Sequence, residues 1–289
     1  MNFPFHELAN PALPAWLPLS VLAWLVHVGV YHGAALAFAW CDAAGALRRF
    51  KVRDVDRIGL AAMAPRVLFN QVFLLLPCMV ACEVAGLAFV GESRLGPLWF
   101  VVGLLGLAVG HDVFQYVAHR GILHHPCLMK PLGHQLHHAT GASKAMSACY
   151  MSAPDFFLEI VCPYLLPLML IGGGGSDIAF HLVAIGLGSI GGLYEHSGYD
   201  FGKALPGRRG RLPTAIGGAI SSHAHAEHHR RFVVSFSDGF GSSSLCDAIF
   251  GTRWDRRPGA RPAPRSDDPA DSWETSGAGE PLVGAGRPA

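Results

Sequence analysis

The sequence is short of charge. Only 15% of its 289 residues are Asp, Glu, Lys or Arg, against 51% hydrophobic residues. That leaves too little polar side chain to cover a soluble domain of this size, and points to a membrane protein. An excess of either charge sign is also missing, and a net charge of +1 excludes a general polyanion-binding surface and with it a nucleic-acid partner. The seven cysteines, Cys41, Cys78, Cys82, Cys127, Cys149, Cys162 and Cys246, contain no CxxC pair, and several lie in apolar runs. They read as small buried hydrophobes, not as a disulfide framework or a zinc ribbon. The opening MNFPFHELANPALP lacks the basic start and small-residue cleavage site of a secretory signal, so the apolar segment after it is expected to stay in the mature protein. What is plentiful is histidine, with sixteen copies.

Long apolar runs are the second abundance. Residues 16 to 40 suffice to cross a bilayer, since about 20 apolar residues span its hydrocarbon core. Similar runs occupy about 67 to 90, 97 to 118, 156 to 171 and 178 to 194, the last two separated by GGGGSD, a break suited to a tight reversal. An all-α membrane bundle of four to five crossings follows. Basic residues orient it: 48 to 57 and 203 to 231 are rich in Lys and Arg, whereas residues 1 to 15 have none. The positive-inside rule then predicts a short non-cytoplasmic N-terminus at 1 to 15. It also brings every histidine cluster to the cytoplasmic face. The membrane domain is expected over 16 to 257, and the tail from 258 to 289, rich in Pro, Gly, Ala and Ser, is expected to be disordered.

The histidines fall into HRGILH (119 to 124), HQLHH (134 to 138), EHSGYD (195 to 200) and HAEHH (225 to 229). On a helix, positions i, i+3 and i+4 share a face, so each HxxHH is expected to aim three imidazoles at a common point. The candidate metal ligands are His119, His124, His134, His137, His138, His196, His225, His228 and His229. Imidazole suits Fe, Zn, Cu and Ni, and nine ligands exceed what one ion accepts, so two metals are expected. Asp112 and Glu195 stand near enough in sequence to fix imidazole orientation by accepting a ring N–H, Glu195 alternatively by coordinating and Asp112 alternatively as a helix-end carboxylate. His6, His27, His32, His111 and His181 lie outside the spacing and read as hydrogen-bonded packing residues. His125 and His223 adjoin the clusters but break it. Tyr116 reads as a packing residue, as do Phe114, Tyr150, Phe156 and Phe157, although these four could line a lipid path.

DVFQYVAHRGILHHPCLMK, HQLHHAT, EHSGYDFG, HAEHH and the closing SLCDAIFGTRW together resemble the fatty acid hydroxylase and sterol desaturase superfamily over about residues 110 to 254. HSGYDF followed by HxxHH and D-x-IFGT is most similar to the C-4 methylsterol oxidase branch, from which Gln115 and Ala153 depart, both standing where that branch typically has histidine. The resemblance implies a cytoplasmic histidine-rich cap holding two irons on the nine histidines, with no catalytic group beyond the dimetal centre. It implies O2 as co-substrate and hydroxylation or desaturation of an unactivated C–H bond of a lipid. Electrons are expected from a separate cytochrome b5-like, ferredoxin or reductase protein. The competing chemistries are a zinc-dependent membrane hydrolase with Glu227 as base, and a metal transporter or sensor.

Overall fold

An apolar run in lipid must pair every backbone polar group within itself, which a helix does and an open strand does not. In a computed structural model of the chain, which describes residues 14, 16–55, 57–204, 221–237 and 244–256, these runs are helical, and no β-strand occurs among the described residues. Among the described residues, five helices are long and apolar enough to cross a membrane, and the protein is an integral membrane helical bundle. They are α1 (Leu19–Ala44), α2 (Leu60–Val84), α3 (Pro97–Leu123), α5 (Ala153–Leu170) and α6 (Ile178–His196). Three short helices complete the set, α4 (His134–His138), α7 (His223–Arg231) and α8 (Leu245–Ile249). The expected N-terminal segment and C-terminal tail lie almost wholly outside the described residues, as do His6 and the loop from 205 to 220.

Several boundaries differ from the hydropathy reading, and two of them have a local cause. Helix α2 begins at Leu60 instead of about 67, because the alanine-rich turn LAAMA extends the helix although it is only mildly apolar. Helix α5 begins at Ala153 instead of 156, where the Ser152 side chain accepts the N–H of Asp155 as a helix cap. Wide π-turns interrupt α2 at Gln71–Leu75, α3 at His119–Leu123 and α5 at Phe157–Val161. The first and last of these run into Pro77 and Pro163, which have no N–H to give the helical ladder.

Both reversals on one side of the bundle meet. Phe89 N–H donates to the Gly173 carbonyl (3.1 Å), Ser176 N–H to that of Glu92 (2.9 Å), and Leu95 N–H to Asp177 Oδ2 (2.8 Å). The tetraglycine is required there. Gly172 to Gly175 all have positive φ, and a Cβ on Gly173 would stand 2.8 Å from the backbone of Ala88. Glu83 closes the same end of α1, accepting the free N–H groups of Leu19 (3.0 Å) and Ser20 (2.9 Å).

The opposite end gathers residues 48 to 55, 124 to 152, 197 to 204, 221 to 237 and 244 to 256. Lys51 joins three of these pieces, its Nζ donating to Asp42 Oδ1 (2.5 Å) and to the carbonyls of Ser143 (3.0 Å) and Ser197 (2.8 Å). The glycine of EHSGYD is explained by the same packing: Gly198 sits at φ +73, and a Cβ there would come within 2.2 Å of the Arg53 carbonyl. Large apolar side chains remain on the outer faces of the bundle, among them Leu36, Phe73, Leu98, Trp99, Leu105 and Val117. They suit lipid and not water. All seven cysteines are free.

Candidate metal centre

Every one of the nine expected histidines lies at this gathered end, and they form two groups. His119, His124, His134, His138 and His228 make one, and His137, His196, His225 and His229 the other. Within each, the ring nitrogens lie within 4.8 Å of one another. The grouping corrects the expectation that each HxxHH aims all three rings at one point. Neighbouring helical residues diverge by about 100°. The rings of His137 and His138 are accordingly 6.0 Å apart, and those of His228 and His229 5.7 Å. So each motif is split, α4 giving His134 and His138 to the first group and His137 to the second. Helix α7 gives His225 and His229 to the second and His228 to the first.

The π-turn at the end of α3 supplies the remaining pair. His119 and His124 are five residues apart, a spacing that an α-helix would turn to different sides. The wide turn, closed by His124 N–H donating to the His119 carbonyl (2.9 Å), brings their Nε2 atoms to 3.2 Å. His196 ends α6 and reaches the second group, with its Nε2 3.1 Å from that of His137 and 2.9 Å from that of His225.

These nitrogens suit a metal. His124 Nε2 lies 3.2 Å from the Nε2 of His119, His138 and His228 and 3.1 Å from that of His134. One imidazole nitrogen makes a single hydrogen bond, so four such approaches exceed hydrogen bonding. Nitrogens each ~2.1 Å from a shared ion stand about 3.0 Å apart at right angles and about 3.4 Å at the tetrahedral angle. The outward nitrogens fix the tautomers. His119 Nδ1 donates to the Phe236 carbonyl (2.8 Å), His228 Nδ1 to that of Val234 (2.7 Å), and His196 Nδ1 to that of Gly192 (2.8 Å). A carbonyl only accepts, so each Nδ1 carries the proton and each Nε2 lone pair faces inward. Burial holds the imidazoles of His124, His137, His138 and His229 well below their usual range and His228 at about 3, which keeps them neutral and available as ligands at pH 7. Both ring nitrogens of the buried His229 lack a hydrogen-bond partner, and a bound cation would satisfy one of them, where an unpaired buried group costs about 1–3 kcal/mol.

Two carboxylates absent from the sequence reading stand beside the first group. Asp155 Oδ1 lies 2.8 Å from His134 Nδ1, and Glu159 oxygens lie 3.4 Å from His134 Nδ1 and 3.8 Å from His119 Nε2. Their signal was present in the sequence: two acids four apart open an otherwise apolar crossing, where a buried charge is costly unless it has a task. Asp112 accepts the N–H groups of Leu245 (2.7 Å) and Cys246 (3.0 Å) at the start of α8. Glu195 is buried and lines a cavity.

That cavity, of about 250 Å³, runs inside the bundle among Leu75, Leu104, Leu107, Ile185 and Gly188 and ends at Glu159, Glu195, His196 and His225. Leu187 belongs to its wall and is also 49% exposed on the outer face, so the cavity borders the lipid side. Phe114, Tyr150, Phe156 and Phe157 are not among its lining residues, since Tyr150 and Phe156 are spent on the packed core and Phe157 is exposed. Three histidines outside the groups have hydrogen-bond partners elsewhere. His27 bonds Ser189 and Gln71, His32 bonds Gln71, and His181 bonds the Gly175 carbonyl. His111 borders the cavity, His125 is exposed, and His223 packs on Trp254. Tyr116 stacks on Phe250.

A polytopic membrane bundle with two all-imidazole groups at one end, one of them bordering an apolar cavity, defines a class, the histidine-rich metal-dependent enzymes that act on lipids. The profile of the family described as fatty acid hydroxylase matches residues 104–252, which contain all nine histidines, and the chain belongs to that family. Membership makes it a membrane oxidoreductase acting on lipids. Comparison with curated proteins and with solved structures found no match.

Proposed function

We propose that this protein is a membrane di-iron oxygenase that uses O2 and two electrons to hydroxylate or desaturate an unactivated C–H bond of a sterol, fatty acyl chain or similar apolar lipid. The observation that carries the reading is the convergence of nine imidazoles into two groups, one of which forms the end wall of an apolar cavity. His119, His124, His134, His138 and His228 hold one ion, and His137, His196, His225 and His229 the other. Two bound irons supply the O2 activation and C–H cleavage that side chains alone cannot perform. The protein's own part is orientation. Carbonyls of Gly192, Val234 and Phe236 and the Asp155 carboxylate lock the rings, while the cavity walls hold the lipid and exclude water from the reacting carbon.

Residues 48 to 55 of the basic segment pack on the same end as the histidines, which supports a cytoplasmic orientation for that end. Electrons then come from a separate cytoplasmic donor of the cytochrome b5-like, ferredoxin or reductase type. Hydrolysis is the weaker reading because its candidate base, Glu227, is held by Arg230 (2.8 Å) and Arg231 (2.6 Å). Transport is weaker because the two groups lie at one end of the bundle and not along it. The test is iron content together with reductant-dependent O2 uptake in membranes. Two irons per chain with lipid-dependent uptake is the expected result, and zinc alone with no uptake under any donor overturns it.

A further inference from the structure

Asp247, within the closing SLCDAIFGTRW, is a fully buried carboxylate, which is costly unless its oxygens are well paired. Its partners share one location. Oδ1 accepts the N–H of Phe236 (3.1 Å) and the Thr252 hydroxyl, and Oδ2 accepts the N–H (2.8 Å) and hydroxyl (3.1 Å) of Ser237. Phe236 is thus held at both backbone poles, since its carbonyl takes the Nδ1 proton of His119. Two residues earlier, the Val234 carbonyl takes that of His228.

The segment between them does not hold this shape by default. Ser235 adopts φ +52, a left-handed conformation unfavourable for a residue with a side chain. It is kept there by its N–H to the Thr252 carbonyl (2.9 Å) and by Trp254 N–H to its hydroxyl (3.2 Å). Helix α8, which carries Asp247, is fastened in turn by Asp112 through its first two N–H groups. Asp112 precedes His119 by seven residues on α3, about two helical turns on the same face. The contacts close a ring: from Asp112 to α8, from Asp247 to Phe236, and from Phe236 back to His119.

We infer that Asp247, anchored through Asp112, is a positioning residue of the five-histidine group, holding the two carbonyls that make His119 and His228 present their Nε2 lone pairs. The four-histidine group stands outside this ring, its His196 being oriented by Gly192 on its own helix. The inference rests on the reading of the nine histidines as metal ligands.

The test uses the full chain in detergent, titrated with ferrous iron and, for its optical spectrum, with cobalt(II). Asp247→Ala should weaken metal binding at the five-histidine group about 10–100-fold, the usual effect of losing a partner that orients a ligand, and leave the other group unchanged. At a free-metal concentration that just fills both groups of the wild type, the stoichiometry then falls from two towards one, and one of two cobalt signatures disappears. Asp247→Asn, which keeps one accepting oxygen, should weaken the same group less. If Asp247→Ala does not fold, Asp247→Asn alone decides, with thermal unfolding as the check on the fold. Equal weakening of both groups, or of neither, overturns the inference while leaving the function standing. A wild-type chain that binds no metal overturns both.

Discussion

The two histidine groups are made from the same pair of motifs and are supported differently. In the five-histidine group, the outward nitrogens of His119, His134 and His228 all have acceptors, two of them backbone carbonyls and one the Asp155 carboxylate. In the four-histidine group, His196 is anchored through Gly192, whereas His229 has no hydrogen bond on either ring nitrogen. The second group also borders the cavity, through His196 and His225. Each group also keeps a ring without an outward acceptor, His138 at Nδ1 in the first and His229 in the second, so the difference lies in the carbonyls and carboxylate behind the first group and the cavity beside the second. On the proposed reading, an ion held by four imidazoles would keep more positions for other ligands than one held by five, and the four-histidine group is the one that borders the cavity.

The sharpest way to break this comparison is to remove one ring from each group. His228→Ala and His137→Ala should each reduce lipid turnover by about 100-fold or more, because each disrupts a different half of a centre that works as a unit. Metal analysis should show one ion lost in each case. Near-native turnover in both variants would show the grouping to be wrong. A smaller effect is expected from the support behind a ring: Asp155→Ala should cost about 10–100-fold in metal affinity or activity, read by titration of the five-histidine group. Next comes the cavity. A Cβ on Gly188 meets nothing within 4 Å, so Gly188→Leu should fold, fill part of the lipid path and lower kcat/KM about tenfold with metal content unchanged. Unaltered kinetics there would mean that the cavity does not hold the lipid. Smallest is the effect of His125→Ala and His223→Ala, which lie outside both groups and should alter turnover by no more than about twofold.

Much of the architecture was legible. Apolar length alone predicts the crossings, because a bilayer demands about 20 apolar residues per helix, and the tetraglycine marks its reversal because only glycine takes four successive positive φ values cheaply. The nine histidines were legible from their spacing. Their division was not, since one-dimensional spacing says which residues share a face but not how 100° between neighbours is divided between two targets. The i+5 relation of His119 and His124 was equally hidden, because a π-turn is decided by packing more than by local preference.

The sequence by itself determined that this chain is a membrane helical bundle rich in imidazole at one end, for reasons of hydropathy, charge and ligand chemistry that need no coordinates. Only the tertiary structure decided which ring joins which group, that Asp155 and Glu159 stand behind His134, and that Asp112 fastens the start of α8. The roles of Val234 and Phe236 belong to the same kind of information. A backbone carbonyl exists at every residue, so nothing in a sequence distinguishes the two that receive a histidine proton until the chain has folded around them.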